Sequence, residues 1–516
     1  MKLRYSWVAL GLLLTSSHLA IAAAPDGAKL IENNCAACHK QPDGTYSRIS
    51  GQRKTPEAWQ MTIQRMRRQN GLELDANTQR LIVQYLSDTQ GLAPSETKDL
   101  RYALDRDPAA QEVKFNNQFV EMCGRCHTAA RVALQRRTKD EWRTHIDFHV
   151  GQFPTIEYQS LGRDRDWYKI AVETMVPLLA EQYPLETEAW TQWKAANKPD
   201  PVGSWVVSSS IAGVGPVFGV MTASPKEGVL HLEGNLQSLD GKTYPLKGTV
   251  NIYTGYEWRA SVSLGEQAYR QILALSEDGK NLEGRHFAKG QDNLSTVFKA
   301  AKQGTGTQIL AVYPENLKAG KEQEVVVIGA GIDQITTSSA KAIEPLSKME
   351  FGAKVKVASQ AVGASVDLTV GESVAKLPVY DKVDRLSIEP PYAVARVGGN
   401  GSSTPPANVW FQAVAWLNGA DGKPNTEDDI RIGKVNPTWQ LKPFNEEAEK
   451  LKDAEFVGKM DEKMGLFATA EAGPNPERVY STNNAGNMKV LADYEGATGE
   501  AQMIVTVQRW IDPPLR

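Results

Sequence analysis

Two short motifs decide the fold of the first part of this chain: Cys35-Ala36-Ala37-Cys38-His39 and Cys123-Gly124-Arg125-Cys126-His127. Each has the form Cys-x-x-Cys-His, and together they contain all four cysteines of the 516-residue sequence. Two thiols three residues apart on a helical turn can form thioethers to the two vinyl groups of a haem, and the adjacent histidine can bind its iron. The sequence therefore predicts two covalently bound c-type haems, with His39 and His127 as proximal ligands.

Three other chemistries use Cys-x-x-Cys pairs. A thioredoxin-like redox pair is expected within a βαβ pattern, which surrounds neither motif. A zinc site would need the two pairs to converge, and it would leave the paired histidines unexplained. Two local disulfides would also leave the histidines without a role. Covalent haem is the interpretation that uses all six residues.

An internal repeat follows the two motifs. Two sets of residues have the same spacing. The first set is Thr55, Trp59, Ile63 and Met66, and the second is Thr138, Trp142, Ile146 and His149. In both sets the last three residues lie on one face of a helix, and the threonine is a good N-cap. The repeat predicts that the haem region is one helical unit formed twice.

The repeat also predicts the sixth ligands of the two irons, because thioether sulfur and imidazole are the usual axial donors. We expect Met66 to bind the iron of haem 1, on Cys35 and Cys38, and His149 to bind that of haem 2, on Cys123 and Cys126. The alternatives are Met61 and Met175 for Met66, and His145 for His149.

These ligands also suggest a direction of electron flow. Methionine ligation raises the potential of a haem relative to ligation by two histidines. We therefore expect electrons to pass from haem 2 to haem 1 and to leave from there. Arg65, Arg67 and Arg68 surround Met66, and we interpret them as a solvated helix face, with binding of propionates or of an acidic redox partner as alternatives.

Residues 1–24 have the pattern of a secretory signal peptide. Lys2 and Arg4 precede a short apolar segment over 7–14, and Ala20-Ile21-Ala22 matches a small-residue cleavage site. The apolar segment is too short for a membrane anchor, and no apolar run in the chain reaches the roughly 18 residues of a membrane span. We expect export to a bacterial periplasm.

The composition is that of a soluble, multidomain protein. Hydrophobic residues make up 41% of the chain and charged residues 23%, which allows several buried cores. The 58 basic and 61 acidic side chains give a formal net charge of -3. This near-balance argues against a general nucleic-acid-binding protein.

The remaining residues have the alternation of β-strands. Trp258, Ala260, Val262 and Leu264 alternate with polar residues, and the Asp-Gly pairs that begin at Asp240 and Asp278 are typical of hairpin turns. We predict a multidomain protein in which an all-α dihaem region precedes three all-β domains. The expected boundaries are haem units over 25–95 and 96–200, a small antiparallel barrel over 201–302, an immunoglobulin-like domain over 303–382 and a C-terminal β-sandwich over 383–516.

Few residues outside the haem motifs suggest chemistry. The segment from Asp421 to Asp429 is rich in oxygen donors but does not match the EF-hand spacing, so we interpret it as an acidic turn, with calcium binding as the alternative. His231 and His286 lie in strand-like segments and are expected to be structural. We find no Ser/His/Asp set, phosphate loop or paired carboxylates, and predict no catalytic residue in this chain.

The order of these features resembles the alpha subunit of quinohaemoprotein amine dehydrogenase over nearly the whole chain. The resemblance rests on the duplicated haem region, on the segment from Leu81 to Glu96 (LIVQYLSDTQGLAPSE), and on the segment from Gly419 to Gly433 (GADGKPNTEDDIRIG). In that family the alpha subunit is a dihaem cytochrome joined to three β domains. A propeller-shaped beta subunit and a small gamma subunit, which carries the tryptophylquinone that oxidises primary amines, complete the heterotrimer.

The resemblance implies that this chain conducts electrons and that the amine chemistry takes place in a partner subunit. The quinone would deliver two electrons per amine, and a soluble copper protein or cytochrome c would accept them singly. Two other functions remain alternatives. A dihaem peroxidase would need one haem with an open site, and an exported binding protein with a haem sensor would have no partner dehydrogenase.

Overall fold

The structure is a computed structural model that describes residues 26–105, 107, 110–157, 165–226, 229–337, 342–358, 365–399 and 405–507. The predicted signal peptide over 1–24 lies outside the described residues. Helices dominate the part before residue 200, and β-strands dominate the rest. The predicted fold class, a helical haem region followed by a barrel and further all-β sheets, is confirmed.

The helices of the first region hold the haem motifs and the repeat. Those described in the whole chain are α1 (Gly27–His39), α2 (Pro56–Gln69), α3 (Ala76–Gln90), α4 (Pro94–Thr97), α5 (Asn117–Cys123), α6 (Ala130–Ala133), α7 (Lys139–Gln152), α8 (Trp167–Ile170), α9 (Val176–Gln182), α10 (Glu188–Ala195), α11 (Glu446–Lys450) and α12 (Asp453–Phe456). A π-turn over Ala171–Met175 joins α8 to α9, and short 3₁₀ turns span Lys98–Ala103, Pro154–Glu157 and Val479–Ser481.

The strands fall into a short ribbon, a closed barrel and two groups of open sheets. The ribbon is β1 (Gln52–Lys54) and β2 (Gln135–Arg137). The barrel strands are β3 (Gly203–Ile211), β4 (Gly215–Lys226), β5 (Val229–Ser238), β6 (Thr243–Tyr253), β7 (Glu257–Leu264), β8 (Gln267–Leu275), β9 (Asn281–Ala288) and β10 (Gln291–Lys302).

The next sheets contain β11 (Gln308–Tyr313), β12 (Leu317–Lys318), β13 (Glu322–Ala330), β14 (Ala342–Met349), β15 (Gly352–Ala358), β16 (Ser365–Val370) and β17 (Ser373–Tyr380). The last group is β18 (Arg385–Glu389), β19 (Tyr392–Arg396), β20 (Val409–Trp410), β21 (Gln412–Leu417), β22 (Ile430–Val435), β23 (Thr438–Pro443), β24 (Gly458–Met460), β25 (Leu466–Thr469), β26 (Gly486–Tyr494) and β27 (Ala497–Thr506).

The two helices of the sequence repeat begin in the same way. Thr55 caps α2 by accepting a hydrogen bond from the backbone N–H of Ala58, and Thr138 caps α7 by accepting one from Glu141. These bonds satisfy one of the unpaired N–H groups at each helix start. Trp59 and Trp142 are both 1% exposed, and each indole donates to a backbone carbonyl of its own unit.

The two units meet at the ribbon that immediately precedes these helices. β1 and β2 are antiparallel, with Arg53 directly opposite Arg136. At the other ends of α2 and α7, Gln69 donates to Gln152 at 2.7 Å. Equivalent residues of the repeat therefore contact each other across an approximate two-fold axis.

The eight strands that follow form a closed barrel in which β10 pairs with both β9 and β3. The alternating residues of β7 point into its apolar interior, together with Trp205 and Phe298. The other face of β7 carries polar side chains, a pattern typical of a solvated face, but Glu257 is 2% exposed. The reason is that the helical region covers this face, where Arg259 forms ion pairs with Glu57 of α2 and with Glu257.

Two further sandwiches complete the chain. The first has one apolar core between a four-stranded sheet and a three-stranded sheet, which agrees with the immunoglobulin-like expectation. The strand orders are β11-β13-β15-β14 and β12-β17-β16. A second core lies among β18-β21-β22, β19-β27-β26-β23 and β20-β25-β24 and is centred on Phe411, Trp439 and Phe467. The helices α11 and α12 form a short helical insert between β23 and β24 of this last group.

His286 gives the barrel a pH dependence. Its ring is 1% exposed, Nε2 lies 2.9 Å from the carbonyl of Ser210, and burial lowers its pKa to about 4. A neutral buried histidine contributes stability that is complete above about pH 6.5 and is lost as the pH falls toward 4. We expect the loss to be about 3 kcal/mol, measured as the free energy of unfolding in urea. His286→Gln should reduce this pH dependence, whereas the control His231→Gln, in partly exposed β5, should preserve it.

Candidate haem sites

The first motif occupies the last turn of α1. Cys35 is half-buried against the core that contains Ile31 and Trp59, and Cys38 is exposed. Both are free thiols, and burial, followed by the nearby Cys38, raises the pKa of Cys35. The helix continues through His39, so the two thiols and the imidazole share one turn. This arrangement suits thioether attachment to one haem.

The ring of His39 is held by the loop that follows it. Its Nδ1 lies 2.9 Å from the backbone carbonyl of Ser47. A carbonyl can only accept a hydrogen bond, so Nδ1 carries the proton and the lone pair lies on Nε2. A metal-binding histidine is commonly oriented by such a bond.

The second motif has the same histidine geometry but a different backbone. α5 ends at Cys123, because Gly124 follows as its C-cap and glycine is a poor helix former. Cys126 and His127 therefore lie in a bend, whereas a continuous helical turn was expected. Nδ1 of His127 lies 2.9 Å from the carbonyl of Thr128, which again leaves Nε2 unprotonated. Burial raises the pKa of Cys123 to about 12.

His149, the predicted sixth ligand of haem 2, repeats this geometry on α7. Its Nδ1 lies 2.8 Å from the carbonyl of His145, one turn earlier, and its ring packs near Phe153 and Trp167. After burial, the main causes that lower the pKa of His127 include a positive charge on His149. The two imidazoles are thus close enough for the charge of one to affect the other. In both rings, Nε2 carries the lone pair that could bind a metal.

His145, the alternative ligand, has different surroundings. Its ring stacks on Phe148 with centroids 5.7 Å apart and contacts Trp142 and His149 edge-on. Burial, followed by the charge of Arg137, holds its pKa well below the usual range. Its carbonyl orients His149, so the structure gives His145 a supporting position.

The three methionine candidates differ in burial. Met66 is half-buried on α2, and its sulfur accepts a contact from Asn70 at 3.6 Å. Met61 is 38% exposed, and its sulfur lies 2.8 Å from a guanidinium nitrogen of Arg131. Met175 is fully buried in the apolar core of the second unit. Met66 therefore remains the predicted ligand of haem 1.

Met66→Leu tests this prediction. Loss of the thioether should abolish the near-infrared methionine-to-iron charge-transfer band and lower the potential of haem 1, because leucine supplies no donor. Met61→Leu is the matched control on the same helix and should preserve the band. A band that survives in Met66→Leu and disappears in Met61→Leu would assign the ligand to Met61.

The other metal-binding candidates can be compared directly. Over the described residues, no three His, Cys, Asp or Glu side chains come together as a metal cluster, and the two cysteine pairs do not converge. In the acidic segment, Asp428 accepts hydrogen bonds from the backbone N–H groups of Ala420 and Asp421. Asp429 is paired with Arg385. These carboxylates therefore already have partners, in backbone N–H groups of the turn for Asp428 and in Arg385 of β18 for Asp429.

The structure also reveals residues that the repeat analysis missed. A basic tripeptide immediately precedes each of the two capping threonines, and the two tripeptides form the ribbon. They are Gln52-Arg53-Lys54 and Gln135-Arg136-Arg137. Lys54 lies over Trp59 at 4.5 Å, and Arg137 lies over Trp142 at 5.4 Å. The near-identity of these tripeptides is visible in the sequence and extends the repeat in the N-terminal direction.

Four family models match successive parts of the chain. Residues 25–190 match "Quinohemoprotein amine dehydrogenase A, alpha subunit, haem binding". Residues 199–303, 306–381 and 386–515 match domains II, III and IV of the same alpha subunit. The chain belongs to the quinohaemoprotein amine dehydrogenase alpha subunits. The resemblance noted in the sequence is thereby confirmed, and the region with both motifs is the haem-binding region of this subunit.

Comparisons with individual proteins add little to the family assignment. No curated protein matches the chain. A de novo designed fluorescence-activating β-barrel is 18% identical and covers 20% of this chain and 93% of its own, with a TM-score of 0.16. The titin domains Z1Z2 in complex with telethonin are 12% identical to this chain. The match covers 40% of this chain and 94% of the titin chain, with a TM-score of 0.15. These likenesses are too weak to bear on function.

The residues of the alpha subunit fit the haem groups that the family implies. Each motif supplies two cysteine thiols and a histidine whose Nε2 carries the lone pair. Arg137, near His149, has two buried guanidinium nitrogens, Nε and Nη1, without a hydrogen-bond partner. In the described part of the subunit, no helix is long and apolar enough to cross a membrane.

Proposed function

We propose that this alpha subunit is the dihaem electron-transfer subunit of its amine dehydrogenase. Cys35 and Cys38 would hold haem 1, with His39 and Met66 as axial ligands. A second set would hold haem 2 and consists of Cys123, Cys126, His127 and His149. The observation that carries this proposal is the shared geometry of His39, His127 and His149, in which a backbone carbonyl fixes Nδ1 and leaves Nε2 as the donor.

The side chains around these ligands set the conditions for electron transfer. The haem iron, when bound, supplies reversible one-electron chemistry. The carbonyls of Ser47, Thr128 and His145 hold each imidazole in one tautomer and one orientation. The buried tryptophans Trp59 and Trp142 exclude water from the two units. Ligands with fixed orientations and a core without water keep the reorganisation energy small when the haem gains or loses an electron.

The partners follow from the family. We propose a heterotrimer in which a propeller-shaped beta subunit and a small gamma subunit bind this chain, and in which the tryptophylquinone lies in the gamma subunit. Two haems in series suit a donor that releases two electrons and a soluble copper protein or cytochrome c that accepts one. The pattern of residues 1–24 supports export to the periplasm.

The direction of transfer has its own test. With methionine on haem 1 and two histidines on haem 2, haem 1 should have the higher potential. A spectroelectrochemical titration of the intact complex would measure both potentials. A lower potential for the methionine-ligated haem would rule out transfer from haem 2 to haem 1.

The decisive experiment for the proposed function uses the native complex, purified without separating its subunits. A primary amine is added without oxygen, and the haem α band is recorded. Reduction of both haems, with two smaller chains present, is the expected result. Failure of an intact complex to reduce its haems would contradict the proposal, and peroxide-dependent turnover by the isolated chain would favour the peroxidase alternative.

A further inference from the structure

Four cationic side chains face one another between the two haem units, and we name them the interunit cations: Arg48, Lys54, Arg65 and Arg137. Lys54 and Arg137 end the two ribbon strands and are each 3% exposed. Burial, followed by the charges of Arg137, Arg65 and Arg48, holds the pKa of Lys54 well below its ordinary range. The cations are thus close enough to repel one another.

Among the residues that the structure describes, one carboxylate pairs with this group. Glu141 accepts a hydrogen bond from Arg48 at 2.7 Å and lies 3.7 Å from Nη1 of Arg137. Lys54 and Arg65 instead donate to the neutral hydroxyl of Thr62, at 3.0 and 3.2 Å. A buried charge is costly unless it is paired with an opposite charge. Four cations with one carboxylate are therefore short of anions.

Arg137 shows where an anion would bind. Its Nη2 donates to Gln135 at 2.7 Å, but the buried Nε and Nη1 have no hydrogen-bond partner. An unsatisfied donor in the interior costs about 1–3 kcal/mol, and more when it is charged. Nε–H and Nη1–H lie on different edges of the guanidinium, so each of them would donate to a separate carboxylate oxygen.

The interunit cations lie beside the predicted ligand of haem 2. Arg137 lies over the ring of Trp142 on α7, the helix that carries His149, with its guanidinium carbon 5.4 Å from the ring centre. Arg65 belongs to α2 of the first unit, yet its guanidinium lies 5.0 Å from the ring centre of Phe148 on α7. The first unit therefore contributes three of the four cations, Arg48, Lys54 and Arg65. Arg48 contacts α7 of the second unit through Glu141, and Arg65 contacts it through Phe148.

We propose that the interunit cations bind the propionate carboxylates of haem 2, so that each haem unit contributes to holding it. This inference rests on the proposed dihaem function. A haem carries two propionates, which together with Glu141 bring the number of anions close to the number of cations. Positive charge beside haem 2 also favours its reduced state and so raises its reduction potential. The difference between the potentials of haem 2 and haem 1 becomes smaller as a result.

The test compares variants of one helix in the full, haem-loaded complex. Arg65→Gln removes an interunit cation, Arg65→Lys keeps its charge, and Arg68→Gln removes an exposed charge three residues further along α2. Resonance Raman spectra report hydrogen bonding to propionates through their bending band. We expect this band of haem 2 to shift in Arg65→Gln and to stay unchanged in Arg68→Gln.

A second readout separates propionate binding from a purely structural role. At a fixed applied potential, Arg65→Gln should lower the ratio of reduced to oxidised haem 2 about ten-fold, and Arg65→Lys should restore most of it. If Arg65→Gln fails to incorporate haem 2, Arg137→Lys takes its place, because it keeps the charge but loses the guanidinium fork. A propionate band unchanged by the variant that retains haem 2 would overturn the inference. These spectra need no amine, so they remain informative even if amine-dependent reduction fails.

Discussion

His149→Ala is expected to convert haem 2 from low-spin to high-spin and to interrupt electron transfer through the chain. The variant removes the imidazole whose Nδ1 is fixed by the carbonyl of His145. Loss of partners that merely orient a ligand costs about 10–100-fold in activity, so loss of the ligand itself should exceed about 100-fold. Electron paramagnetic resonance reports the spin state, and amine-dependent reduction of an external acceptor reports the rate.

His145→Ala is the matched control on the same helix. The carbonyl of residue 145 orients Nδ1 of His149, and alanine retains that carbonyl, so haem 2 should stay low-spin. We expect a moderate loss of stability from the missing ring contacts with Phe148 and Trp142. A high-spin haem 2 in His145→Ala, combined with a low-spin one in His149→Ala, would assign the sixth ligand to His145.

Glu96→Gln is expected to destabilise the helical region by about 3–5 kcal/mol, the usual cost of breaking a buried ion pair. Glu96 joins the two haem units, because it accepts hydrogen bonds from Arg53 at 2.9 Å and Arg136 at 3.0 Å. It also accepts one from Thr187 at 2.9 Å. The amide leaves two buried guanidinium groups without their carboxylate. Chemical denaturation followed by circular dichroism measures the change.

The pH dependence of this contribution has a definite sign. Burial alone would raise the pKa of Glu96, but Arg53 and Arg136 outweigh it and the pKa lies below its ordinary value. The stabilisation is therefore complete above the ordinary pKa of a glutamate and is lost as the pH falls through the lowered value. Glu188→Gln, which alters an exposed carboxylate on α10, should change neither stability nor its acid dependence. Equal losses in both variants would contradict the bridging role of Glu96.

Several features of this protein follow from the sequence alone because they are local. The spacing of Cys35, Cys38 and His39 within one helical turn depends only on helix geometry. The capping threonines, the buried tryptophans and the matched positions of Met66 and His149 follow from helical periodicity in the same way. Alternation in β7 predicted a strand with one apolar face, which the closed barrel confirms.

Other features depend on contacts between segments that are distant in the chain. Glu257 and Arg259 have the pattern of a solvated strand face, but α2 covers them through Glu57. Periodicity describes the neighbours of a residue along one element, and it carries no information on which other element packs against that face.

The sequence by itself predicted the haem motifs and the duplicated helical unit, since both depend on residue types at short, fixed spacings. Only the tertiary structure placed Arg53 opposite Arg136 with Glu96 between them, and only it brought the interunit cations together. The physical reason is that burial and charge pairing depend on distance in space. Residues such as Lys54 and Arg137, far apart in the chain, become neighbours only after the two units have packed.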